Sequence, residues 1–383
     1  MAIISPPGDA LLFATRGPDT TGDGRVDIRD GLALFLLHRD QSTPVQVTGH
    51  VLDFAPAMAV WAPDGTRFVV PVPMENGADA SDHGHPHGLV LFDASGERIG
   101  SIPPTGSQGI MNPCFSPTGD RIAYVEGATI GLWEIASGEI TTLLQPQGDG
   151  SFPRLHGWAP FMEGPVFTRS SPYAQLSRDA DGDLVFPDEL ALEIAERGRG
   201  RVLTAPGTVP LRRIYAQVTR DRVFYVGTEP SGRRRLVSWC GSGEQLWTGP
   251  EQSLVGFEAA EDGTVWAWLR PWPIGAGAEI TLARMDAPGQ QQILSTGWDA
   301  GLLGLSGGAG SGMPLAAGSV DGERSLAVES CSGSRTRVDH GAWYVPSSRG
   351  GTHAAVLATT DVDGDGDVTA VDVGELRVTW CEP

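Results

Sequence analysis

The sequence predicts an all-β protein, and three observations lead to that prediction. Glycine and proline are abundant, with 52 and 29 residues, and both are spread along the whole chain of 383 residues, as expected of many short strands joined by turns. Between these turn residues, apolar and polar residues alternate in short stretches. Hydrophobic residues make up 40% of the chain, which is enough for a large core. No apolar run approaches the ~18 residues of a membrane span.

A repeated phrase predicts how the strands are arranged. An apolar stretch, then Pro-Asp-Gly or a variant, then alternating apolar residues recur in VWAPDGTRFVVPV from Val60, CFSPTGDRIAYVE from Cys114 and SPPGDALLFAT from Ser5. Each phrase predicts a strand, a tight turn and a second strand with a buried face. Two further strands follow most copies, and four-stranded units of roughly 40 to 50 residues are typical of propeller blades. We therefore expect one β-propeller domain over residues 1–383, with eight four-stranded blades, seven being the alternative.

The expected blades follow one another along the chain. They begin near Ser5, Phe54, Gly109, Phe152, Pro210, Leu254, Gly301 and Ala342. The last unit lacks an outer strand, and we expect the residues before Ser5 to supply it and so close the ring.

The repeats also resemble a known family. WAPDG from Trp61 and FSPTGDRIAYV from Phe115 are similar to the repeats of TolB-like and WD-repeat-like bacterial propellers. The resemblance implies a protein-interaction platform, and in some members an accessory domain of a peptidase. It favours a protein-binding or scaffold module over an enzyme.

The segment DVDGDGDVTAVD, residues 361–372, fits a calcium-binding loop of the EF-hand type. Calcium takes six to eight oxygen ligands, which a 12-residue loop supplies from positions 1, 3, 5, 7, 9 and 12. Gly366 stands at position 6, where the loop bends sharply, and Val368 is the apolar residue at position 8. The candidate side-chain ligands are Asp361, Asp363, Asp365 and Asp372, with the backbone carbonyl of Asp367.

Two further segments fit the same template, so the sequence predicts up to three calcium ions. In residues 19–30 the candidate ligands are Asp19, Thr21, Asp23, Asp27 and Asp30, with the carbonyl of Arg25. In residues 177–188 they are Ser177, Asp179, Asp181 and Asp188, with the carbonyl of Asp183. All three loops end in Asp, and in this they resemble dockerins and other extracellular calcium modules. The resemblance implies that the calcium ions stabilise the fold and do not act as regulatory switches.

The residues that flank the loops predict their place in the blades. The first loop lies between LLFATR and LALFLLHR, the second between PVFTRSS and LALEIAER, and the third between AAVLAT and ELRVTW. LALFLLHR and LALEIAER could be the helix that follows an EF-hand loop, but each is short and leads directly to a strand. We therefore predict strands on both sides, with each loop joining two adjacent strands of one blade.

A histidine-rich segment occupies the equivalent place in the second unit. His83, His85 and His87 lie within five residues, beside Asp82. Neutral imidazoles bind zinc, copper or nickel, so this segment is a candidate transition-metal site. The composition favours a polar loop without metal, since Gly, Ala and Ser surround the histidines, and keeps the metal site as the second interpretation.

Charge narrows the kinds of partner. The formal net charge of −20 would repel the phosphates of a nucleic acid, so we expect none as a partner. The run Arg233 to Arg235 is a short basic patch, which we expect at a solvated hairpin end. We expect a protein partner, and the sequence leaves oligomer formation open.

No set of residues with the spacing of a catalytic site is evident, so we assign no catalytic residue. One alternative function is a metal-dependent hydrolase or lactonase with its site in the central channel, to which His156 or His353 would contribute. Another is a carbohydrate-binding lectin. Core packing between blades is the first interpretation of Trp266, Trp268 and Trp272, but in a lectin they would form an aromatic platform.

The cellular compartment is predicted from calcium and from the N-terminus. Loops of this kind with millimolar affinity function outside the cytoplasm. The first residues lack the basic and apolar regions of a secretory signal. We expect a periplasmic or secreted protein whose leader is absent from this sequence, with a cytoplasmic protein as the alternative.

Overall fold

The computed structural model is almost entirely β-structure. It describes residues 2–16, 32–48, 59–73, 87–106, 109–146, 148, 151–170, 177–178, 184–185, 192–196, 199–203, 212–229, 231–241, 243–260, 262–275, 278–298, 304–306, 315–319, 326–329, 335–338, 342–346, 354–358 and 377–381. Over these residues, no helix is long and apolar enough to cross a membrane.

Seven antiparallel sheets have four strands within the described residues, and an eighth has three. Sheet 1 contains β1 (Ala2–Ile4), β2 (Ala10–Arg16), β3 (Leu32–His38) and β4 (Val45–Gln46). Sheet 2 contains β5 (Val60–Trp61), β6 (Arg67–Pro73), β7 (His87–Asp93) and β8 (Arg98–Ile102). Sheet 3 contains β9 (Ile110–Phe115), β10 (Arg121–Glu126), β11 (Thr129–Glu134) and β12 (Ile140–Leu144).

Sheet 4 contains β13 (Phe152–Ala159), β14 (Gly164–Ser170), β17 (Leu192–Glu196) and β18 (Arg199–Val202). A 3-10 helix, Pro160–Met162, joins β13 to β14, and a separate hairpin of β15 (Ser177–Arg178) and β16 (Leu184–Val185) precedes β17. Sheet 5 contains β19 (Arg212–Val218), β20 (Val223–Thr228), β21 (Arg234–Trp239) and β22 (Glu244–Leu246). Sheet 6 contains β23 (Gln252–Ala259), β24 (Val265–Pro271), β25 (Ile280–Ala287) and β26 (Gln290–Trp298).

Sheet 7 contains β27 (Gly304–Ser306), β28 (Leu315–Ser319), β29 (Leu326–Glu329) and β30 (Arg335–Val338), and sheet 8 contains β31 (Ala342–Pro346), β32 (Ala354–Ala358) and β33 (Arg377–Cys381). Within every sheet the strands pair in chain order. The predicted all-β chain of four-stranded antiparallel sheets is confirmed.

The first strands bring neighbouring sheets together. β5 contacts β9, β9 contacts β13, β13 contacts β19, β23 contacts β27, and β27 contacts β31. Apolar clusters fill the spaces between sheets 1 and 2 and between sheets 5 and 6. β1 also contacts β31, so the first and the last sheet meet.

Residues on both faces of the middle strands are buried. On β24, Val265, Ala267 and Leu269 pack against sheet 5. Trp266 and Trp268, which point to the opposite face, lie in a different apolar cluster and are also buried. Because neither face meets water, the middle strands are continuously apolar in sequence instead of alternating. Each buried large side chain contributes about 2 to 3 kcal/mol through the hydrophobic effect.

The predicted tight turns join the first and second strands. In sheet 3, the Ser116 hydroxyl donates to the Asp120 carboxylate at 2.7 Å and accepts a hydrogen bond from the Arg121 backbone N–H at 3.1 Å. In sheet 1, Ser5 bonds Asp9 in the same way at 2.6 Å and accepts a hydrogen bond from the backbone N–H of residue 10 at 3.0 Å. The repeated phrase therefore builds a recurrent turn whose polar groups bond one another.

The chain ends differ from the prediction. The residues before Ser5 form β1, which pairs with β2 as the first strand of sheet 1, with Ala2 opposite Phe13. They do not add an outer strand to sheet 8, so the expected closure by a shared strand is wrong. The physical reason is that Ile3 and Ile4 pack their apolar side chains on sheet 1, where Ile4 is fully buried.

The run Arg233 to Arg235 is only partly a solvated hairpin end. Arg233 and Arg235 both bind the Glu229 carboxylate, at 2.6 and 3.0 Å, and the hydrogen bond from Arg233 lowers the pKa of Glu229. Arg235 is buried, and its guanidinium also donates to the hydroxyl and the carbonyl of Thr248, each at 2.9 Å. The prediction was wrong for Arg235, because this nearby carboxylate allows its charge to be buried.

Candidate functional site

All three predicted calcium loops lie between the second and third strands of a sheet. Residues 17–31 join β2 to β3, residues 171–191 join β14 to β17, and residues 359–376 join β32 to β33, and each of these strand pairs is antiparallel. The segments that could have been helices are the strands β3 and β17. The strand prediction for the loop flanks is therefore confirmed.

Most of the candidate metal ligands lie outside the described residues, so the metal sites stay predictions. These ligands are Asp19, Thr21, Asp23, Arg25, Asp27, Asp30, Asp179, Asp181, Asp183, Asp188, Asp361, Asp363, Asp365, Asp367, Asp372, His83 and His85. In the part of the chain that is described, no three His, Cys, Asp or Glu side chains lie close enough together to hold a metal ion.

The second predicted loop contains the small hairpin of β15 and β16. Ser177 is opposite Val185 and Arg178 is opposite Leu184. This register brings together positions 1 and 9 of the loop template, which are both ligand positions in a calcium loop of this type. The backbone therefore places Arg178 and Leu184, which flank residues 179–183, side by side.

The histidine-rich segment also joins the second strand of a sheet to the third. Residues 74–86 connect β6 to β7, and His87, the first residue of β7, is opposite Pro73. His87 is half-buried. Sheets 1, 2, 4 and 8 thus carry their long inserted segments at the same connection, and the predicted loop positions coincide with it.

A second feature lies on the first strands of sheets 3 to 6, each of which contains a β-bulge. On β13 the extra residue is His156, between Leu155 and Gly157, and its Nε2 lies 2.9 Å from the Thr168 hydroxyl. On β23 the extra residue is Val255. Bulges redirect side chains and are frequent beside active sites. His156, predicted as a channel residue, therefore lies at a distorted position on the edge strand of sheet 4.

Core packing, the first interpretation of the strand tryptophans, is confirmed for Trp266 and Trp268, and the alternative of an exposed sugar-binding platform is wrong. Trp266 and Trp268 are 0% and 1% exposed, because they pack inside sheet 6. Only Trp272, which follows β24, is partly exposed. A sugar cannot stack on rings that the core covers, so these three residues do not form a lectin surface.

Sequence reasoning missed a recess of about 350 Å³ beside sheet 3. Its centre is a row of paired residues on three strands, Tyr124 on β10, Gly131 on β11 and Thr142 on β12. The recess is lined by Thr105, Gly106, Tyr124, Glu126, Gly127, Thr129, Gly131, Ile140, Thr141, Thr142 and Gln145. Tyr124 packs in the apolar cluster between sheets 2 and 3, so the recess opens where these two sheets meet.

A glycine creates this recess. A Cβ at Gly131 would overlap the Tyr124 ring, so the ring can lie across β11 only because residue 131 has no side chain. Burial, and then the negative charge of Glu126, raise the pKa of Tyr124 to about 12. The phenol is therefore a neutral hydrogen-bonding group at physiological pH. The sequence signal was the single glycine inside the otherwise apolar strand IGLWE.

Glu126 is held in a fixed position at the edge of the recess. Its Oε1 accepts hydrogen bonds from the backbone N–H groups of Thr105 and Gly106 at 2.5 and 2.8 Å. Its Oε2 accepts one from the Thr105 hydroxyl at 2.8 Å. The carboxylate therefore fastens the connection between sheets 2 and 3 to the end of β10.

The chain is similar to solved β-propeller structures. The Dos1 propeller is 11% identical, with a TM-score of 0.56, over 99% of this chain and 90% of that one. An oligogalacturonate lyase in complex with manganese is 12% identical, with a TM-score of 0.54, over 100% and 97% of the two chains. The dipeptidyl peptidase 4 of Porphyromonas gingivalis is 13% identical, with a TM-score of 0.54, over 86% of this chain.

These similarities concern the fold alone, because the identities are low. The chain spans about half the length of the peptidases that it matches, 55% of the dipeptidyl peptidase and 49% of a prolyl endopeptidase. No protein-family profile matches the chain, and neither does any curated protein. Together with the successive four-stranded sheets, the similarities show a β-propeller fold.

Proposed function

We propose that the protein is an eight-bladed β-propeller, stabilised by up to three calcium ions, that binds a protein partner. The observation that carries this proposal is the common position of the inserted segments, which all join second to third strands. In a ring of sheets, such connections emerge on one face. The contact between β1 and β31 supports a ring in which sheet 8 meets sheet 1.

Calcium explains why acidic segments are tolerated at these connections. Three or four clustered carboxylates repel one another and destabilise a hairpin unless a cation neutralises them. A bound calcium ion would restrain the segment and present a defined surface to a partner. Since millimolar calcium is available outside the cytoplasm, we also propose a periplasmic or secreted location.

Metal content and thermal unfolding test the calcium proposal. We expect about three calcium ions per chain by elemental analysis, and a melting temperature that falls when a chelator is added. Each site should add about 2.7 kcal/mol at a calcium concentration 100-fold above its Kd, because calcium binds the folded state alone. The double variant Asp363→Asn with Asp365→Asn should lose one ion.

Asp40→Asn is the matched control for that variant. Asp40 is exposed in the turn between β3 and β4, and its replacement changes charge without touching a predicted loop. The control should keep all the calcium of the wild-type protein. A wild-type protein without bound calcium, whose melting temperature does not respond to the chelator, would contradict the proposal.

A second candidate is a metal-dependent hydrolase or lactonase with its site in the channel, which the bulge at His156 favours. Assays with a panel of esters, lactones and peptides test it, with His156→Ala and, as a control, His38→Ala at the end of β3. If His156 acts as a general acid or base, His156→Ala should lower the rate at least about 100-fold, whereas His38→Ala should not. A wild-type protein inactive on the whole panel would argue against this candidate.

A further inference from the structure

The recess beside sheet 3 has the electrostatics of a cation site. Glu126 is the one charged residue among those that line it, and the others are neutral hydroxyl, amide, glycine and aliphatic residues. The whole chain carries a net charge of −20, so the surrounding field also attracts cations. Among the described residues, no arginine lines the recess to neutralise Glu126 from within.

The recess is also formed before any ligand arrives. The three hydrogen bonds from Thr105 and Gly106 fix the Glu126 carboxylate, and Oε2, which accepts only one of them, retains capacity to accept another. The Tyr124 ring is held in the core and forms the floor beside Gly131. A ligand therefore finds a fixed acceptor and has little side-chain ordering to bring about.

The recess continues into the exposed edge of β12. Ile140, Thr141 and Thr142 are exposed, and in the described structure they form no backbone hydrogen bond other than those to β11. All three also line the recess. A partner strand running along β12 would therefore pass directly over it, and alternate side chains of that strand would point toward the sheet face that carries Tyr124.

Other outer strands in the described structure are less suited to pairing. β8, β18 and β30 each carry arginine, and β4 and β22 are only 2 and 3 residues long. Charged and short edges discourage strand addition. β26 is long and uncharged, but its pairing with β25 shifts register in three places, and bulges also block addition. In contrast, residues 140–142 of β12 pair regularly with β11.

We propose that an extended segment of a partner protein adds to the edge of β12 and inserts a lysine or arginine side chain into the recess, against Glu126. The main chain of the segment supplies hydrogen bonds to β12, and the basic side chain supplies specificity. A neutral sugar could donate hydrogen bonds from its hydroxyl groups to Glu126, but it would neither neutralise the Glu126 charge nor bond along the backbone of β12.

A fluorescently labelled pentapeptide, Thr-Val-Arg-Val-Thr with blocked ends, tests the proposal by fluorescence anisotropy. The same peptide with glutamine in place of arginine is the matched ligand control. We expect the arginine peptide to bind at least about tenfold more tightly, which corresponds to ~1.4 kcal/mol, and its affinity to fall as salt rises. Equal binding of the two peptides would overturn the proposal, as would no binding of the arginine peptide up to about 1 mM.

Two variants locate the peptide on the protein. Glu126→Gln keeps an oxygen that can accept from Thr105 and Gly106 but removes the charge, and Thr142→Trp fills the recess from the exposed strand. Each should weaken binding at least about tenfold. Glu139→Gln, at an exposed site before β12, makes the same charge change and should leave binding within about twofold of wild type.

Unchanged binding by both Glu126→Gln and Thr142→Trp would overturn the assignment, provided that their melting temperatures show folded proteins. This inference deepens the proposed protein-binding role and rests on it. The peptide experiment measures peptide binding, whereas calcium is measured by metal content and thermal unfolding. Failure of the peptide site can therefore be distinguished from failure of the calcium sites. A sugar that binds wild type and is blocked by Thr142→Trp but not by Glu126→Gln would indicate the lectin alternative and overturn the peptide proposal.

Discussion

The two ends of the sheets are built differently. At one end, short turns join the first strand to the second in sheets 1 to 6, and the turn of sheet 2 contacts those of sheets 1 and 3. At the other end, the connection from the second strand to the third varies widely in length. It comprises only residues 127–128 in sheet 3 but residues 171–191 in sheet 4. The first end is therefore constrained by packing, whereas the second accommodates insertions.

Contacts between successive turns show the constraint at the first end. A Cβ added at Gly65 in sheet 2 would overlap Pro7 in sheet 1. A Cβ at Gly119 in sheet 3 would lie 3.7 Å from Pro63 in sheet 2. The glycine of one turn thus accommodates the proline of the preceding turn. The repeated Pro and Gly of the sequence phrase serve the contact between sheets as well as the turn itself.

Replacing Gly65 should produce the largest effect on this contact. Gly65→Ala places a methyl group in the space of Pro7, at a residue whose φ of +70° already disfavours a side chain. Strain and overpacking together should lower the free energy of unfolding by about 4 kcal/mol. Urea unfolding would measure the change.

Gly138→Ala is the control, because Gly138 has a φ of +71° and open space around it. It should cost only the backbone strain, about 1 kcal/mol. Equal losses for Gly65→Ala and Gly138→Ala would show that the turns do not support one another.

High pH should lower the free energy of unfolding through ionisation of Tyr124, which lies near the second end of sheet 3. An unfolded tyrosine releases its proton near its ordinary pKa of 10.0, whereas the folded pKa is about 12. Between these values the unfolded state binds fewer protons, so the free energy of unfolding falls as pH rises, by up to about 2 kcal/mol. Tyr124→Phe should show a smaller fall in urea unfolding between pH 9 and pH 12, that is, from about one unit below the unfolded pKa up to the folded pKa. A parallel loss in both proteins would contradict the assigned pKa.

Replacing Ser116 should have an intermediate effect. Ser116→Ala removes a buried hydroxyl that bonds both Asp120 and the backbone of Arg121, and should cost about 1 to 2 kcal/mol. The hydrogen bonds from Thr118 and Ser116 lower the pKa of Asp120, so the loss should diminish as pH falls and Asp120 becomes protonated. Ser137→Ala, which removes one exposed hydrogen bond of 3.2 Å, is the control. Similar losses for the two serine variants would mean that the recurrent turn is not specially stabilised.

Shortening a connection at the second end should have the smallest effect. Replacing residues 74–86 with Gly-Ala, the pair that joins β10 to β11, should change the free energy of unfolding by less than about 1 kcal/mol, because loop entropy depends weakly on length. Thermal unfolding in metal-free buffer would measure it. A loss as large as that of Gly65→Ala would show that the inserted segment supports the core.

Local sequence patterns predicted those features that depend on local chemistry. Pro-Asp-Gly phrases specify turns through their own backbone preferences, and the placement of the inserted segments followed from their apolar flanks. The recess could not be predicted in this way, since it depends on Gly131 standing opposite Tyr124 across two strands. Core packing of Trp266 and Trp268 was the first interpretation of their place in a strand, and their burial within sheet 6 confirms it. Arg235 was misjudged because a carboxylate six residues earlier folds back onto it.

Every sheet from 1 to 8 is made from one contiguous stretch of chain. In the described structure, sheets 1 and 8 share no strand, and they meet through the contact between β1 and β31. A gene duplication or deletion of one stretch could therefore change the number of blades without rewiring any sheet. For the same reason, a circularly permuted protein, with its termini moved to the connection between any two sheets, would keep all of its strand pairings.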